Sequence, residues 1–139
     1  LEQGSADGIG CDENVCLDDI FPTLTQLCGI HDKPDVSGTS LVPQLKNPKA
    51  KRDLPVISCV GEHHFSVIKD HWHYIRYQDG SEELYHMKDD PEEWTNLAND
   101  KHYNDIKQEL RAIIPQDRHP KVPTESANWE EIIRGKLPY

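Results

Sequence analysis

The chain has no apolar run approaching the roughly 20 residues a helix needs to cross a bilayer, and no basic-then-apolar leader opens it. A membrane partner is therefore not expected. It also has no basic excess: 25 Asp and Glu stand against 15 Lys and Arg, for a formal charge of −10. A nonspecific grip on nucleic acid or anionic lipid needs clustered cations, so neither is expected. Asn-x-Ser/Thr acceptors, glycine-rich phosphate loops and the Gly-x-Ser-x-Gly nucleophile turn are all missing. The four cysteines, Cys11, Cys16, Cys28 and Cys59, lack the paired Cys-x-x-Cys spacing of a structural zinc site. Cys11 and Cys16 can close a short-loop disulfide or stay reduced, whereas Cys28 and Cys59 fall in apolar stretches and are expected as small buried thiols. The redox compartment stays open on this reading.

What is present fits one domain with a thin core: 139 residues, 35 % hydrophobic and 29 % charged. The chain begins with Leu1 and not Met, so the expectation is a processed product or an excised piece. Residues 1–16 read as a flexible lead-in or vector-derived residue, rich in Gly, Asp and Glu. In LDDIFPTLTQLCGI (17–30), Ile20, Phe21, Leu24, Leu27 and Cys28 recur at helical spacing. Asp18 or Asp19 can cap that helix, Pro22 is tolerated in its first turn, and Gly29 suits its end. The segment up to residue 55 is dense in Pro, Gly, Ser and Lys and reads as a long loop with one helical turn, pinned by Leu41, Val42 and Leu45.

Strand signals then cluster in VISCV (56–60), HHFSVIK (63–69), HWHYIRY (71–77) and ELYHM (83–87), separated by turn residues. The reading is an antiparallel meander. Along the third strand Trp72, Tyr74 and Arg76 share one face and His71, His73, Ile75 and Tyr77 the other, so that strand should be central. Asp90-Pro91-Glu92-Glu93 is expected to start a helical turn, with Trp94 and Leu97 on a shared face pinning the chain. A helix over 101–114 follows, its stripe formed by Tyr103, Ile106, Leu110 and Ile113, and Pro115 stops it. Residues 115–139 read as an extended tail with a possible turn at 128–133.

Chemistry is sparse in these patterns. Glu62-His63-His64 and His71-x-His73 can face each other across a hairpin, but no acidic or thiolate partner stands at clear ligand spacing, so surface and packing roles outweigh a metal site. Adjacent carboxylates such as Glu82-Glu83 and Asp89-Asp90 read as solvated loop and not as a tuned acid/base pair. No residue is singled out as catalytic or as a metal ligand.

Taken together, LDDIFPTLTQLCGI, SGTSLVPQL (37–45), HWHYIRY and DGSEELYHMKDDPEEWTNLA resemble, in family order, the C-terminal part of the formylglycine-dependent sulfatases, in the bacterial branch similar to iduronate-2-sulfatase and choline-sulfatase. Glu83, Leu84, Tyr85, Asp90, Pro91, Glu93, Asn96 and Leu97 fill the places of the family pattern D-G-x-x-E-L-Y-D followed by D-P-x-E-x-x-N-L. The resemblance covers about residues 15–114 and implies an α+β subdomain. Its four-stranded antiparallel sheet carries a C-terminal helix, and the helix that precedes it belongs to the edge of the missing catalytic domain. On this basis 17–55 links from the catalytic domain, 56–114 is the subdomain and 115–139 the tail.

The resemblance further implies that calcium and the formylglycine nucleophile sit in that N-terminal domain and that no cofactor is held here. No Pro-Ser-Arg follows any of the four cysteines. The implied partners are the catalytic domain in cis and, in the whole enzyme, a sulfated carbohydrate or other sulfate ester. The implied location is periplasmic or extracellular. Glu62, His63, His64 and Phe65 are the candidates for the substrate rim, and Trp72, Tyr74, Leu84, Tyr85, Trp94 and Leu97 the structural anchors. Close relatives carry His and Arg where Phe65 and Ile68 stand, which puts a bidentate anion contact there in doubt. A rival reading is a stand-alone carbohydrate-binding module that stacks sugars on Trp72, Tyr74 and Tyr77.

Overall fold

The computed structural model describes residues 9–30, 36–60 and 63–116. Residues 117–139 of the expected tail and the first eight residues lie outside them. Four strands, β1 (Val56–Val60), β2 (His64–Lys69), β3 (Trp72–Arg76) and β4 (Glu82–His86), form one antiparallel sheet in the order β1-β2-β3-β4. β3 is internal, as its two aromatic faces require. The β2–β3 connection puts Asp70 in the left-handed region at φ 53°. The β3–β4 turn uses Gly80 at φ 86°, where glycine carries no Cβ penalty, and Asp79 accepts both the Ser81 amide and its hydroxyl.

One sheet face and one helix make the core. α3 (Asn104–Ile113), entered through a 3-10 turn Lys101–Tyr103, lays Leu110 against Val67, Tyr74 and Leu84, all fully buried, with Phe65, Ala98 and Ile114 completing the cluster. Trp72, Leu97, Tyr103, Ile106 and Ile113 pack around it. Polar contacts fix the helix in register. Glu82 accepts the Tyr74 hydroxyl at 2.5 Å and faces Lys107 at 3.2 Å and Arg111 at 3.7 Å. Burial pushes the Glu82 carboxyl up, but those donors and cations outweigh it and leave it below its ordinary value. The same burial and hydrogen bond push the Tyr74 phenol well up.

Trp94 departs from the expected anchoring. Residues 90–93 form a turn closed by the Glu93 amide on the Asp90 carbonyl, not a helical turn, and Trp94 is 85 % exposed. The reason is local. Glu93 sits in the left-handed region at φ 56°, and the Asp90 carboxylate accepts the amides of Trp94 and Thr95, which swings the indole outward. The segment is held instead by Asn96, whose Oδ1 accepts the Leu84 and Ala98 amides, while the Leu97 amide donates to the Leu84 carbonyl. Residues 96–98 thus line the free edge of β4.

The N-terminal part is organised by one buried ion pair. A 3-10 turn Leu17–Asp19 runs into α1 (Ile20–Leu27), and α2 (Val42–Lys46) supplies the single helical turn of the long loop. Asp19 does not cap α1. Its carboxylate, with no exposed surface, pairs with both oxygens to the Arg52 guanidinium at 2.9 and 3.0 Å and accepts the Cys16 and Thr39 amides. Thr23 extends the network, donating to the Asp19 carbonyl and accepting the Leu41 amide. Gly38 packs so tightly that a Cβ there would fall 1.9 Å from the Asp18 carbonyl oxygen, so Ser37-Gly38-Thr39 can close on α1 only with glycine in the middle. The predicted burial of the thiols does not hold, since Cys28 and Cys59 are exposed and free. Cys28 follows the last turn of α1, and Cys59 lies on the edge strand.

Candidate functional site

The outer sheet face, opposite α3, collects the polar chemistry. Register places Ser58, Ser66, Ile75 and Glu83 in one row and Val56, Ile68, His73 and Tyr85 in the next. A cavity of about 350 Å3 opens on this face, lined by Ser58, Val60, His64, Phe65, Ser66, Ile75 and Tyr77. His64 stands edge-on to Tyr77 with ring centroids 5.9 Å apart. Beside the cavity Ser66 Oγ lies 2.8 Å from His73 Nε2, and His73 Nδ1 lies 2.6 Å from Glu93 Oε1. A carboxylate can only accept, so the Nδ1 proton points to Glu93, and in the neutral ring Nε2 is then left to accept the Ser66 hydroxyl. Tyr85 donates to Glu83 at 2.9 Å, and burial, with that bond, pushes its phenol up to about 12.

The rim candidates divide. Glu62 lies outside the described residues, His63 is half-buried, and His64 opens β2 at the cavity wall. Phe65 is 8 % exposed among the core residues, because the alternation of β2 turns its ring inward, and it also lines the cavity. Of the named anchors, Tyr74 and Leu84 are fully buried, Tyr85 is 9 % exposed on the outer face, and Trp72 and Leu97 are half-buried. A sugar platform of Trp72, Tyr74 and Tyr77 is not available, because Tyr74 has no exposed surface and Tyr77 points to the other face.

A second hollow, of about 260 Å3, is walled by Trp72, Tyr103, Leu97 and His86 and edged by Asp89 and Asp90. Trp72 meets the His86 ring at a tilt of 54° with centroids 4.5 Å apart, and His86 is paired with Asp89 at 2.6 Å. The histidines do not converge. His73 belongs to the serine row, His71 approaches His86 edge-on at 6.2 Å, and His64 faces Tyr77. Among the described residues no three His, Cys, Asp or Glu side chains come together as a metal-binding group. The Ser66, His73 and Glu93 alignment was hidden in the sequence because it joins a strand, its neighbour and a loop 20 residues away; the one legible signal is that Ser66 and His73 fall in adjacent rows of paired strands.

This sheet, its packed helix and the Asn96–Leu97 edge define an α+β unit. Residues 6–119 match the family described as N-sulphoglucosamine sulphohydrolase, C-terminal, and the chain belongs to that family. It is 37 % identical over 107 residues to a Delta 4,5-hexuronate-2-O-sulfatase of Bacteroides thetaiotaomicron, covering 69 % of this chain and 22 % of that protein. A sulfatase of Formosa agariphila is 33 % identical over 97 residues, covering 70 % and 19 %. Among solved structures, a 2-O GAG sulfatase superposes with TM-score 0.57 at 35 % identity over 68 % of this chain and 22 % of that one. A putative sulfatase from Bacteroides thetaiotaomicron gives 0.59 at 31 % identity over 85 % and 24 %. The chain thus spans about a fifth of the relatives it matches.

Proposed function

We propose that the chain is the noncatalytic C-terminal part of a sulfuric ester hydrolase, one that leans on a catalytic domain and lends the β1–β2 turn to the rim of its substrate pocket. The observation that carries this is an uncovered apolar face. Leu17 is 82 % exposed, and Ile20, Phe21, Leu24 and Leu27 are each about half exposed on one short helix. A contiguous patch of that kind on an otherwise acidic chain marks a surface made to be covered. The length missing relative to the sulfatases supplies the cover. Calcium and formylglycine chemistry would then reside wholly in that larger domain, and the similarity to 2-O sulfatases acting on hexuronate or glycosaminoglycan favours a sulfated carbohydrate as substrate.

His63 and His64 remain the rim residues in this reading, with Glu62 beside them. The test is to produce the catalytic part and this chain as separate polypeptides and measure their association and aryl-sulfate turnover. Alone, the chain is expected to turn over nothing, to bind the catalytic part, and to bind it at least about tenfold more weakly once Leu24 is changed to Asp, because a charge is then buried unpaired. In the joined enzyme His64→Ala is expected to raise KM with little change in kcat. Turnover by the chain alone, or undiminished binding by the Leu24→Asp variant, overturns the reading.

A further inference from the structure

We propose that Ser66 is an activated nucleophile, with His73 as its general base and Glu93 as the residue that positions His73, able to accept the acyl group of a small carboxylic ester bound in the adjoining cavity. This goes beyond sulfate-ester chemistry and does not depend on it. Three observations converge. The hydrogen bonds at 2.8 and 2.6 Å run from a hydroxyl through both ring nitrogens to a carboxylate, the order in which a nucleophile, base and orienting acid act. Glu93, a non-glycine residue, is held in the left-handed region at φ 56°, and this is the backbone that turns its carboxylate to His73 while Trp94 swings away. Such strain persists where surrounding contacts enforce it, here the Asp90 carboxylate on the two following amides. Finally, Ser66 lines a cavity whose remaining wall includes Val60, Ile75 and Tyr77, suited to an apolar acyl or aryl group.

The chemistry balances without any co-reactant but water. Ser66 Oγ attacks the ester carbonyl while its proton passes to His73 Nε2. The carbon–oxygen bond to the leaving group then breaks, and that oxygen takes the proton from Nε2 and departs as an alcohol or phenol. Water, giving its proton to the same nitrogen, later attacks the acyl carbonyl and restores Ser66 with release of the acid. β2 is paired on both sides, so its amides are committed to the ladders and cannot serve as oxyanion donors. With the Tyr77 hydroxyl engaged by Glu83, Ser58, directly across the ladder from Ser66, and His64 are the polar side chains on the cavity wall offered for that task.

The probe is p-nitrophenyl acetate on the 139-residue chain, followed by nitrophenol release and by peptide mapping, since four free thiols also react. The expected result is about one equivalent of acetyl on the Ser66 peptide, absent from Ser66→Ala and formed about 100-fold more slowly by His73→Asn. Should His73→Asn not fold, Glu93→Gln decides. A glutamine can donate to Nδ1, which moves the ring proton to Nε2 and removes the acceptor, so acetylation of Ser66 is expected to fall by a similar factor while the melting curve holds. Acetyl found on Cys, His or Lys only, or on Ser66 at the same rate in the variants, overturns the proposal.

Discussion

Asp19→Ala is expected to open α1 and the 39–54 segment to protease about a hundred- to several-thousand-fold faster than in the parent chain. The change strands Arg52, whose guanidinium is 6 % exposed and loses both of its short contacts to carboxylate oxygen. It also strands the amides of Cys16 and Thr39, which the carboxylate accepts. Removing one partner of a buried pair costs about 3–5 kcal/mol, and each 1.4 kcal/mol is tenfold in the open population that a protease samples. The double variant Asp19→Leu, Arg52→Met should recover only part of this, because the two amides still lack an acceptor. The same carboxylate gives a pH dependence. Burial raises its pKa, yet the Cys16 and Thr39 amides and the Arg52 charge outweigh burial and leave it lowered. A folded-state value below the unfolded one, about 3.9, means the stabilisation is complete above about pH 5 and is lost as pH falls through the folded value. Protease resistance of α1 should therefore hold from pH 7 to 5 and decline below about 4; a flat profile to pH 3 would discount the ion pair.

Leu84→Ala should lower the melting temperature by about 10 °C or more, and Trp94→Ala should leave it unchanged. Leu84 has no exposed surface and sits between Val67, Tyr74 and Leu110, so truncation leaves a cavity that strands and helix cannot easily close. Leucine truncations of this kind cost about 2–5 kcal/mol, and each kcal/mol is about 4–8 °C for a unit of this size. Trp94, by contrast, gives up little on truncation, because most of its surface already meets water. Surface changes of that kind stay within about 0.5 kcal/mol. Differential scanning calorimetry of the two variants side by side decides whether Asn96 and Leu97, and not the indole, hold the loop to the sheet.

Periodicity made the meander, the central place of β3 and the α3 stripe legible, because each is set by local alternation or by a 3.6-residue repeat and a buried face enforces it. Tyr103, Ile106, Leu110 and Ile113 could be read off the sequence for that reason. Trp94 could not, since its direction depends on the sign of one backbone angle at Glu93 and on which amides Asp90 accepts. Of Asp18 and Asp19, the two caps the sequence offered, Asp19 does accept the Cys16 amide ahead of the 3-10 turn, but its ion pair was not legible: its partner Arg52 lies 33 residues away, and no local pattern announces a long-range ion pair. The apolar spacing of α1 identified the helix correctly but gave no hint that its greasy side would be bare in this chain. Along β2, His64 and Phe65 are neighbours in sequence whose side chains alternate, so a rim drawn as consecutive residues joins a half-buried side chain to a core one.

The two margins of the sheet are finished differently, and that asymmetry shapes how the molecule meets its own kind. Asn96 and Leu97 occupy the backbone of β4 at Leu84, whereas β1 leaves Ile57 to Val60 exposed along the opposite border. An uncovered strand of that composition is a template for further strands. Crowded solutions of the chain should consequently self-associate at the Val60 border as well as through the bare side of α1, and a lysine placed at Ser58 or Val60 would suppress the first route alone.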